Sequence, residues 1–355
     1  MTAPRAAMIL PPREGFAPGA TGAIGLLLSR LGRGGGQTVL GMLPGGFPGV
    51  DYVQAAPVLW PAKLSQRYAM GLLRALRRLA PDIVEVHNRP DIALYLQAKL
   101  PGTPVCLILH NDPKGMRTAT GLHRLAGVAA VSAWLAGRLD MPCAVLPNSL
   151  DLAAIPPSPP ERDRLILFAG RVVADKGADG FVAACALALP RLPGWRAEMI
   201  GADRFGPDSP STPFLAALTP KAQAAGIRMH GYRPHADVLA AMAAAAIVAV
   251  PSRWPEPFGL TALEAMAAGA ALLVAPRGGL PEVAGDVGIP IDADNPQAFA
   301  EAIVALANDA PRRAALGAAG RARAAQFGLP QATAALAAWR RDVLQAWPRR
   351  PGHPI

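Results

Sequence analysis

Short apolar runs alternate with longer amphipathic stretches along most of the chain. The short runs read as buried strands, and the stretches with apolar residues at every third or fourth position read as helices. Ala6–Leu10 predicts a strand ending in Pro11-Pro12. A loop with Gly15, Gly19 and Gly22 follows, then a helix over Ala23–Leu31. Gln37–Leu43 predicts the next strand. Over Gln66–Leu79, Tyr68, Met70, Leu72, Leu73, Leu76 and Leu79 fall at helical spacing, with Arg67, Arg74, Arg77 and Arg78 between them. Next come a strand Ile83–Val86, a helix Asp91–Lys99 and the strands Val105–Leu109 and Gly127–Val131. Strands alternating with helices imply parallel βαβ units.

Residues 150–164 break the pattern with Pro156, Pro157, Pro159 and Pro160 among charged residues. This is the best candidate domain boundary. The alternation then restarts. Strands are predicted at Leu165–Ala169, Ala197–Ile200, Ile227–His230, Ile247–Val250 and Ala271–Ala275. Helices are predicted at Gly177–Leu187, Pro213–Ala225 and Val238–Ala244, with a helical tail over Gln331–Trp347. At 355 residues the chain exceeds what one core usually organises. The expected fold is α/β: two Rossmann-like doubly wound domains in series, one over residues 1–150 and one over 151–335. Ligands of such sheets sit outside the carboxyl ends of the strands, so a cleft between the domains is the natural site.

Composition narrows the class. Hydrophobic residues make up 52% and charged residues 17%, which excludes global disorder. Cys106, Cys143 and Cys185 are odd in number and far apart, so neither a disulfide scaffold nor a zinc site is expected. Met1–Leu10 is too short an apolar stretch for a signal peptide, and runs such as Ala243–Val250 fall short of a membrane span. The expectation is a cytoplasmic protein, at most peripheral on the inner face of a membrane. Net charge is +10, and residues 1–160 hold 15 Lys/Arg against 8 Asp/Glu. That excess suits an anionic partner, a membrane surface or a phosphorylated acceptor, though solubility alone accounts for it equally well. Nucleic acid is disfavoured: aromatics are only 5%, and no zinc-finger or RNP-like segment occurs.

Two segments carry candidate chemistry. After the strand Leu165–Ala169, Gly170 allows a close turn and places Arg171 and Lys176 at the strand's carboxyl end. Two fixed cations there suit a diphosphate; a surface Arg and Lys beside a turn is the ordinary alternative. The stronger segment is Pro251 to Gly269. Its prolines at 251, 255 and 257 forbid helix until about Phe258, and a helix then runs to about Ala268, ending at Gly269. Backbone amides at Phe258, Gly259 and Leu260 would lie at the helix N-terminus, which favours phosphate or sugar oxygens. Glu256 precedes the helix and Glu264 lies within it, so the two carboxylates reach different parts of a ligand. A carboxylate accepts from vicinal hydroxyls, as on ribose or hexose. Gly278-Gly279 is expected to add a flexible loop beside the same site.

These residues resemble the retaining glycosyltransferases of the GT-B fold, family 4. The resemblance lies in Gly170-Arg171 with Lys176-Gly177, in Glu256 and Glu264 eight positions apart, and in Gly278-Gly-Leu-Pro-Glu282. It is specific over about 165–290. It is weaker over 80–150, where Asp82-Ile-Val-Glu-Val-His87, Leu107-Ile-Leu-His110, Ala130-Val-Ser132 and Leu146-Pro-Asn148 match strand ends of the acceptor domain. It implies two facing domains, with acceptor binding in 1–150 and nucleotide-sugar binding in 151–335, and residues 336–355 crossing back to the first domain. It implies that Arg171 and Lys176 hold the donor diphosphate, that Glu264 binds the ribose hydroxyls and Glu256 the transferred sugar, and that no metal or cofactor is needed.

By the same resemblance His110 is a catalytic candidate near the anomeric carbon, with a backbone-bonded loop histidine as the alternative. His87, at another strand end, is an acceptor-side candidate with a structural role as an equal alternative, and Asn111 is a further acceptor-side candidate. His123, His230, His235 and His353 have no such placement. The first glycine-rich loop departs from the family: adjacent glycines are missing, and Gly19 is the residue left to serve the donor. Asp292-Ala-Asp294 matches a metal motif of another glycosyltransferase fold, but Asp294-Asn295-Pro296 reads better as a helix cap. The expected activity is sugar transfer from a nucleotide-sugar, UDP-sugar first and GDP-mannose next, to a glycan or lipid-linked acceptor in cell-envelope polysaccharide or lipopolysaccharide synthesis. A non-catalytic nucleotide-sugar-binding subunit and a nucleotide-sugar epimerase on the same fold are the alternatives.

Overall fold

The computed structural model describes residues 4–33, 35–60, 63–112, 121–203 and 211–347. The chain forms two compact units, one of Met1–Ser149 with Leu329–Ile355 and the other of Leu150–Gly328.

The first unit is built on a parallel sheet. Its elements in chain order are β1 (Ala6–Ile9), β2 (Phe16–Ala17), β3 (Ala20–Thr21), α1 (Ala23–Leu31), β4 (Gln37–Gly41), β5 (Asp51–Gln54), α2 (Leu64–Leu79), β6 (Ile83–His87), α3 (Pro90–Lys99), β7 (Val105–Leu109), β8 (Gly127–Ala130), α4 (Ala133–Ala136) and β9 (Ala144–Val145). The sheet order is β5-β4-β1-β6-β7-β8-β9, and β1 pairs in parallel with both β4 and β6. Connections therefore run outward one way to β5 and the other way from β6, with the switch point between β1 and β6. Central strands β1, β6 and β7 are buried along their whole length, as strands covered on both faces must be. The short strands β5 and β9 carry no long apolar run and are not anticipated by the hydropathy pattern.

The glycine-rich loop after β1 folds as a two-stranded antiparallel ribbon, β2 with β3. Pro18 and Gly19 form its tip, and Gly19 has φ +77°, the geometry of a Pro-Gly turn.

The second unit repeats the plan with β10 (Asp163–Ala169), α5 (Ala178–Ala188), β11 (Arg196–Ile200), α6 (Pro213–Ala224), β12 (Arg228–Met229), α7 (His235–Ala244), β13 (Ala245–Val250), α8 (Leu260–Ala267), β14 (Ala271–Val274), α9 (Leu280–Ala284), β15 (Ile289–Pro290), α10 (Pro296–Asn308) and α11 (Ala310–Ala325). Its sheet order is β12-β11-β10-β13-β14-β15, all parallel, so its switch point lies between β10 and β13. Phe168, Phe181, Phe299 and Ile303 centre its core. Thr212 and Asn295 cap α6 and α10 through their side chains, each followed by proline at the first helical position.

The last helix, α12 (Leu329–Ala346), belongs to the first unit. The second unit thus ends at Gly328 rather than 335, and the return begins at Leu329 rather than 336; residues 348–355 of the expected segment lie outside the described residues. Leu336 joins the cluster of Leu27, Leu31 and Ile108, while Val343 joins Ala6, Ile83 and Cys106. Arg340 of this helix donates from Nε and Nη2 to the two carboxylate oxygens of Glu85 at 2.6 and 2.8 Å. Both side chains are buried. Among the described residues no helix is long and apolar enough to cross a membrane.

Candidate functional site

The loops after β10 and β13 meet at the switch point of the second unit. β10 ends at Ala169, and Gly170 (φ +150°) turns the chain toward Arg171 and the short 3-10 turn Ala174–Lys176. Gly201, after the neighbouring β11, lies so close that a Cβ there would meet Gly170 O at 1.8 Å. The loop after β13 is bound to this turn, because the amides of Arg253 and Trp254 both donate to Asp175 O at 2.9 Å. Gly177 completes the fit: its φ is +69°, and a Cβ would strike Pro251 O. Glycine is required at these positions because two backbones pass where a side chain would stand.

This packing joins Lys176 to Glu256. Lys176 Nζ donates to Glu256 Oε1, and Ser252 Oγ, itself buried, donates to the same oxygen at 2.8 Å. Glu256 is also held through its backbone. It forms a bridge with Gly278, and Gly279 N donates to Glu256 O at 2.6 Å. A Cβ on Gly278 would meet Glu256 O at 2.2 Å. The Gly-Gly pair is thus a close-packed support for Glu256 and not the flexible loop expected.

Helix α8 starts behind this loop. Gly259 (φ +106°) is its N-cap, Phe258 is buried against the edge of Phe327, and Leu260 opens the first turn. Glu264 lies on the buried side of α8 and is only 9% exposed. A carboxylate so placed needs a partner, and it has one: His235 Nε2, on the first turn of α7, donates to Glu264 Oε1 at 2.8 Å. Sequence reasoning passed over His235, since the two residues are 29 positions apart and nothing local links them. Asp292 and Asp294 are engaged by Arg277 and Arg253, and Asn295, not Asp294, caps α10, accepting from Ala298 N at 3.1 Å. Arg253 also binds Asp179, chiefly through which its guanidinium pKa is raised.

The first unit has a site of another kind at the ends of β6 and β7. His87 Nδ1 and His110 Nε2 are 2.8 Å apart, with the rings stacked at 5.1 Å between centroids. Asn88, in the left-handed region at φ +59°, clasps the strand ends. Its Oδ1 accepts from the His110 and Asn111 amides, and its Nδ2 donates to Asn111 Oδ1 at 2.7 Å. His87, His110 and Asn111 are therefore brought together. Burial lowers the His87 pKa to about 3, and the Arg340 charge adds to the effect. His110 is pushed well below the ordinary histidine value by burial and by His87, against an opposing effect of Asn148.

One proton is shared between the two rings. His87 Nε2 is buried without a partner, and a stranded N–H is rarer than a stranded lone pair. With Nδ1 as the donor to His110 Nε2, His87 Nε2 is left as an acceptor facing the adjoining space. A cavity of about 30 Å³ bordered by Glu85, His87, His110 and Leu336 lies beside the pair, room enough for a water. Gly19, the other first-unit candidate, is at the open ribbon tip with nothing within 4 Å of a Cβ.

Known proteins bear on both units. Residues 154–323 match the Glycosyl transferases group 1 family. The second unit belongs to that family. Among curated relatives, a D-inositol 3-phosphate glycosyltransferase of Corynebacterium aurimucosum is 34% identical over 172 residues, 47% of this chain and 40% of that protein. The lipopolysaccharide core biosynthesis mannosyltransferase LpsB of Rhizobium meliloti is 30% identical over 235 residues, 61% of this chain and 66% of that protein. The chain thus spans less than half the length of the first of these relatives. The crystal structure of Anabaena HepE in complex with UDP and glucose superimposes with a TM-score of 0.77 at 19% identity, covering 95% of this chain and 99% of that one. The likeness is one of fold, the GT-B fold of glycosyltransferases.

Proposed function

We propose that this chain is a retaining glycosyltransferase that moves a sugar from a nucleotide-sugar to a glycan or lipid-linked acceptor in cell-envelope polysaccharide or lipopolysaccharide synthesis. The observation that carries this reading is the pairing of Lys176 with Glu256 at the switch point of a group 1 domain, with Arg171 just beyond β10 and Glu264 in α8 beyond the Glu256 loop. A UDP-sugar is the favoured donor, in line with the UDP and glucose bound to HepE. GDP-mannose is next, in line with the LpsB mannosyltransferase.

In this reading Arg171 and Lys176 hold the diphosphate, assisted by the amides of Phe258, Gly259 and Leu260. They stabilise the charge that develops as the nucleoside diphosphate leaves the anomeric carbon. Neither metal nor cofactor is called on for that role. Glu256 exchanges part of its bond with Lys176 for hydroxyls of the transferred sugar, and Glu264 takes the ribose hydroxyls. On the acceptor side His87 and Asn111 support His110, which meets the transferred sugar. His110 stays neutral and its Nε2 is occupied by His87, so it does not take the acceptor proton. The departing phosphate does, on the face where the new bond forms, which gives retention.

A lipid-linked acceptor would place the enzyme at an anionic membrane. The first unit offers a suitable surface: Lys63, Arg74, Arg77 and Arg78 are exposed along α2, and Leu59 and Trp60 just before it are 93% and 79% exposed. Tryptophan beside a basic helix suits a headgroup boundary. Co-sedimentation with vesicles containing anionic lipid is expected at low salt and is lost when Arg74, Arg77 and Arg78 become Glu; no sedimentation by wild type sinks the membrane part.

The activity is tested by incubating the full chain with a panel of UDP-sugars and GDP-mannose and following free sugar and nucleotide release by NMR. One donor should be slowly hydrolysed, its sugar appearing first with the donor's own anomeric configuration. Inverted product contradicts retention, and an epimerised nucleotide-sugar favours the epimerase. Binding without turnover, even with glycan acceptors supplied, favours a non-catalytic subunit.

A further inference from the structure

The pairing of His235 with Glu264 joins a half-exposed histidine to a carboxylate that is almost wholly buried. Glu264 sits among Ala262, Leu263, Ala265 and Met266 of α8, all buried and apolar. Its charge therefore has few groups to orient it, and a carboxylate on a three-bond side chain has several rotamers. His235 is placed to select one. It opens α7 directly after Pro234, the N-cap residue, whose ring fixes the φ at which the chain enters the helix. The carboxylate is acceptor-only, so His235 must carry a proton on Nε2 in either charge state.

We infer that His235 is a positioning residue for nucleotide recognition: it pins Glu264 Oε1 so that the carboxylate plane is set in advance for the two vicinal hydroxyls of a ribose. The inference rests on the donor-site reading and adds to it how ribose is told from deoxyribose. A carboxylate offers about four lone-pair directions. His235 uses one on Oε1, leaving a second on that oxygen and both on Oε2 for a diol. Without His235 the carboxylate must be ordered when ligand arrives, and that cost is subtracted from affinity. The loss falls on ligands that present both hydroxyls, since a ligand lacking the 2′-hydroxyl gains less from the ordered carboxylate.

This separates positioning from plain structural support. If His235 merely kept α7 packed, UDP and 2′-deoxy-UDP would weaken by the same factor. If it positions Glu264, the ratio of their affinities shrinks. The probes are UDP with 2′-deoxy-UDP and GDP with 2′-deoxy-GDP, titrated calorimetrically into the full chain as wild type, His235→Ala, His235→Gln and Glu264→Gln. Wild type should prefer the ribose form of one pair. In His235→Ala that preference should fall about 3- to 10-fold, the effect of one hydrogen bond. His235→Gln, whose amide can donate to the same oxygen, should recover much of it and also covers the case in which the alanine variant does not fold. An unchanged ribose preference in a folded His235→Ala overturns the inference while the donor-site reading stands, provided Glu264→Gln loses that preference. Equal binding of ribose and deoxyribose forms by wild type removes the role of Glu264 and the inference with it. If wild type binds neither UDP nor GDP, the donor-site reading itself fails.

Discussion

The two units share one topology and hold opposite kinds of site. At the switch point of the second unit, charges are brought to the strand ends and kept: Lys176 against Glu256, Arg253 against Asp179 and Asp294. In the first unit the titratable groups at the ends of β6 and β7 are two histidines held neutral by burial, and the charge beneath them, Glu85, is cancelled by Arg340. A doubly wound sheet fixes only where a site lies. What the site does follows from whether the loops beyond the strands carry paired ions or desolvated neutral rings. A diphosphate calls for the former, and a sugar or glycan acceptor is well served by the latter.

Removing one partner of the buried pair gives the largest expected effect. Arg340→Met leaves Glu85 charged and alone in a 0%-exposed position and should cost roughly 3–5 kcal/mol in urea unfolding, whereas the double variant Glu85→Leu with Arg340→Met should recover most of it. A single variant as stable as wild type would show that the charge in the first unit is not balanced by Arg340. Second is the charged site. Lys176→Ala should lower donor turnover about 10²- to 10³-fold at saturating donor, as when one preorganised transition-state contact is lost, with little change in urea midpoint. An equal loss of stability would make the Lys176–Glu256 pair structural.

The smallest effect sharpens the contrast through pH. His87 titrates at about 3 in the folded chain against about 6.5 unfolded, so the unfolded state binds the extra proton between these values. Stability is then complete above pH 6.5 and falls as pH drops toward 3, by roughly 2 kcal/mol at pH 5. His110, also lowered, acts in the same direction. His87→Gln should remove part of this acid sensitivity, read as a smaller shift of the urea midpoint between pH 7 and pH 5. An identical shift in the variant would mean that His87 is not the group concerned.

How much of this was legible beforehand depended on the range of the interaction. The central strands announce themselves as unbroken apolar runs, and the prolines before Phe258 place the start of α8 to within a residue or two. The positions of Arg171, Lys176, Glu256 and Glu264 relative to β10, β13 and α8 were readable because they stand at fixed offsets from those strands. Pairings between distant elements were not. Glu85 in an otherwise apolar strand signals that a cation must meet it, but Arg340 is 255 positions away. His235 carries no local signal at all. Gly278-Gly279 looked like freedom and proved to be close packing, since a glycine's missing side chain marks both, and only the neighbouring backbone of Glu256 decides between them.

The central claim, that the switch point of the second unit holds a nucleotide-sugar through Lys176 and Glu264, is tested most directly by calorimetric titration of the full chain with UDP-glucose and GDP-mannose, in wild type, Lys176→Ala and Glu264→Ala. The account predicts saturable binding of one of the two donors by wild type and a loss of at least tenfold in each variant, about 1.4 kcal/mol or more. Binding that both variants retain, or no binding of either donor by wild type, would contradict it.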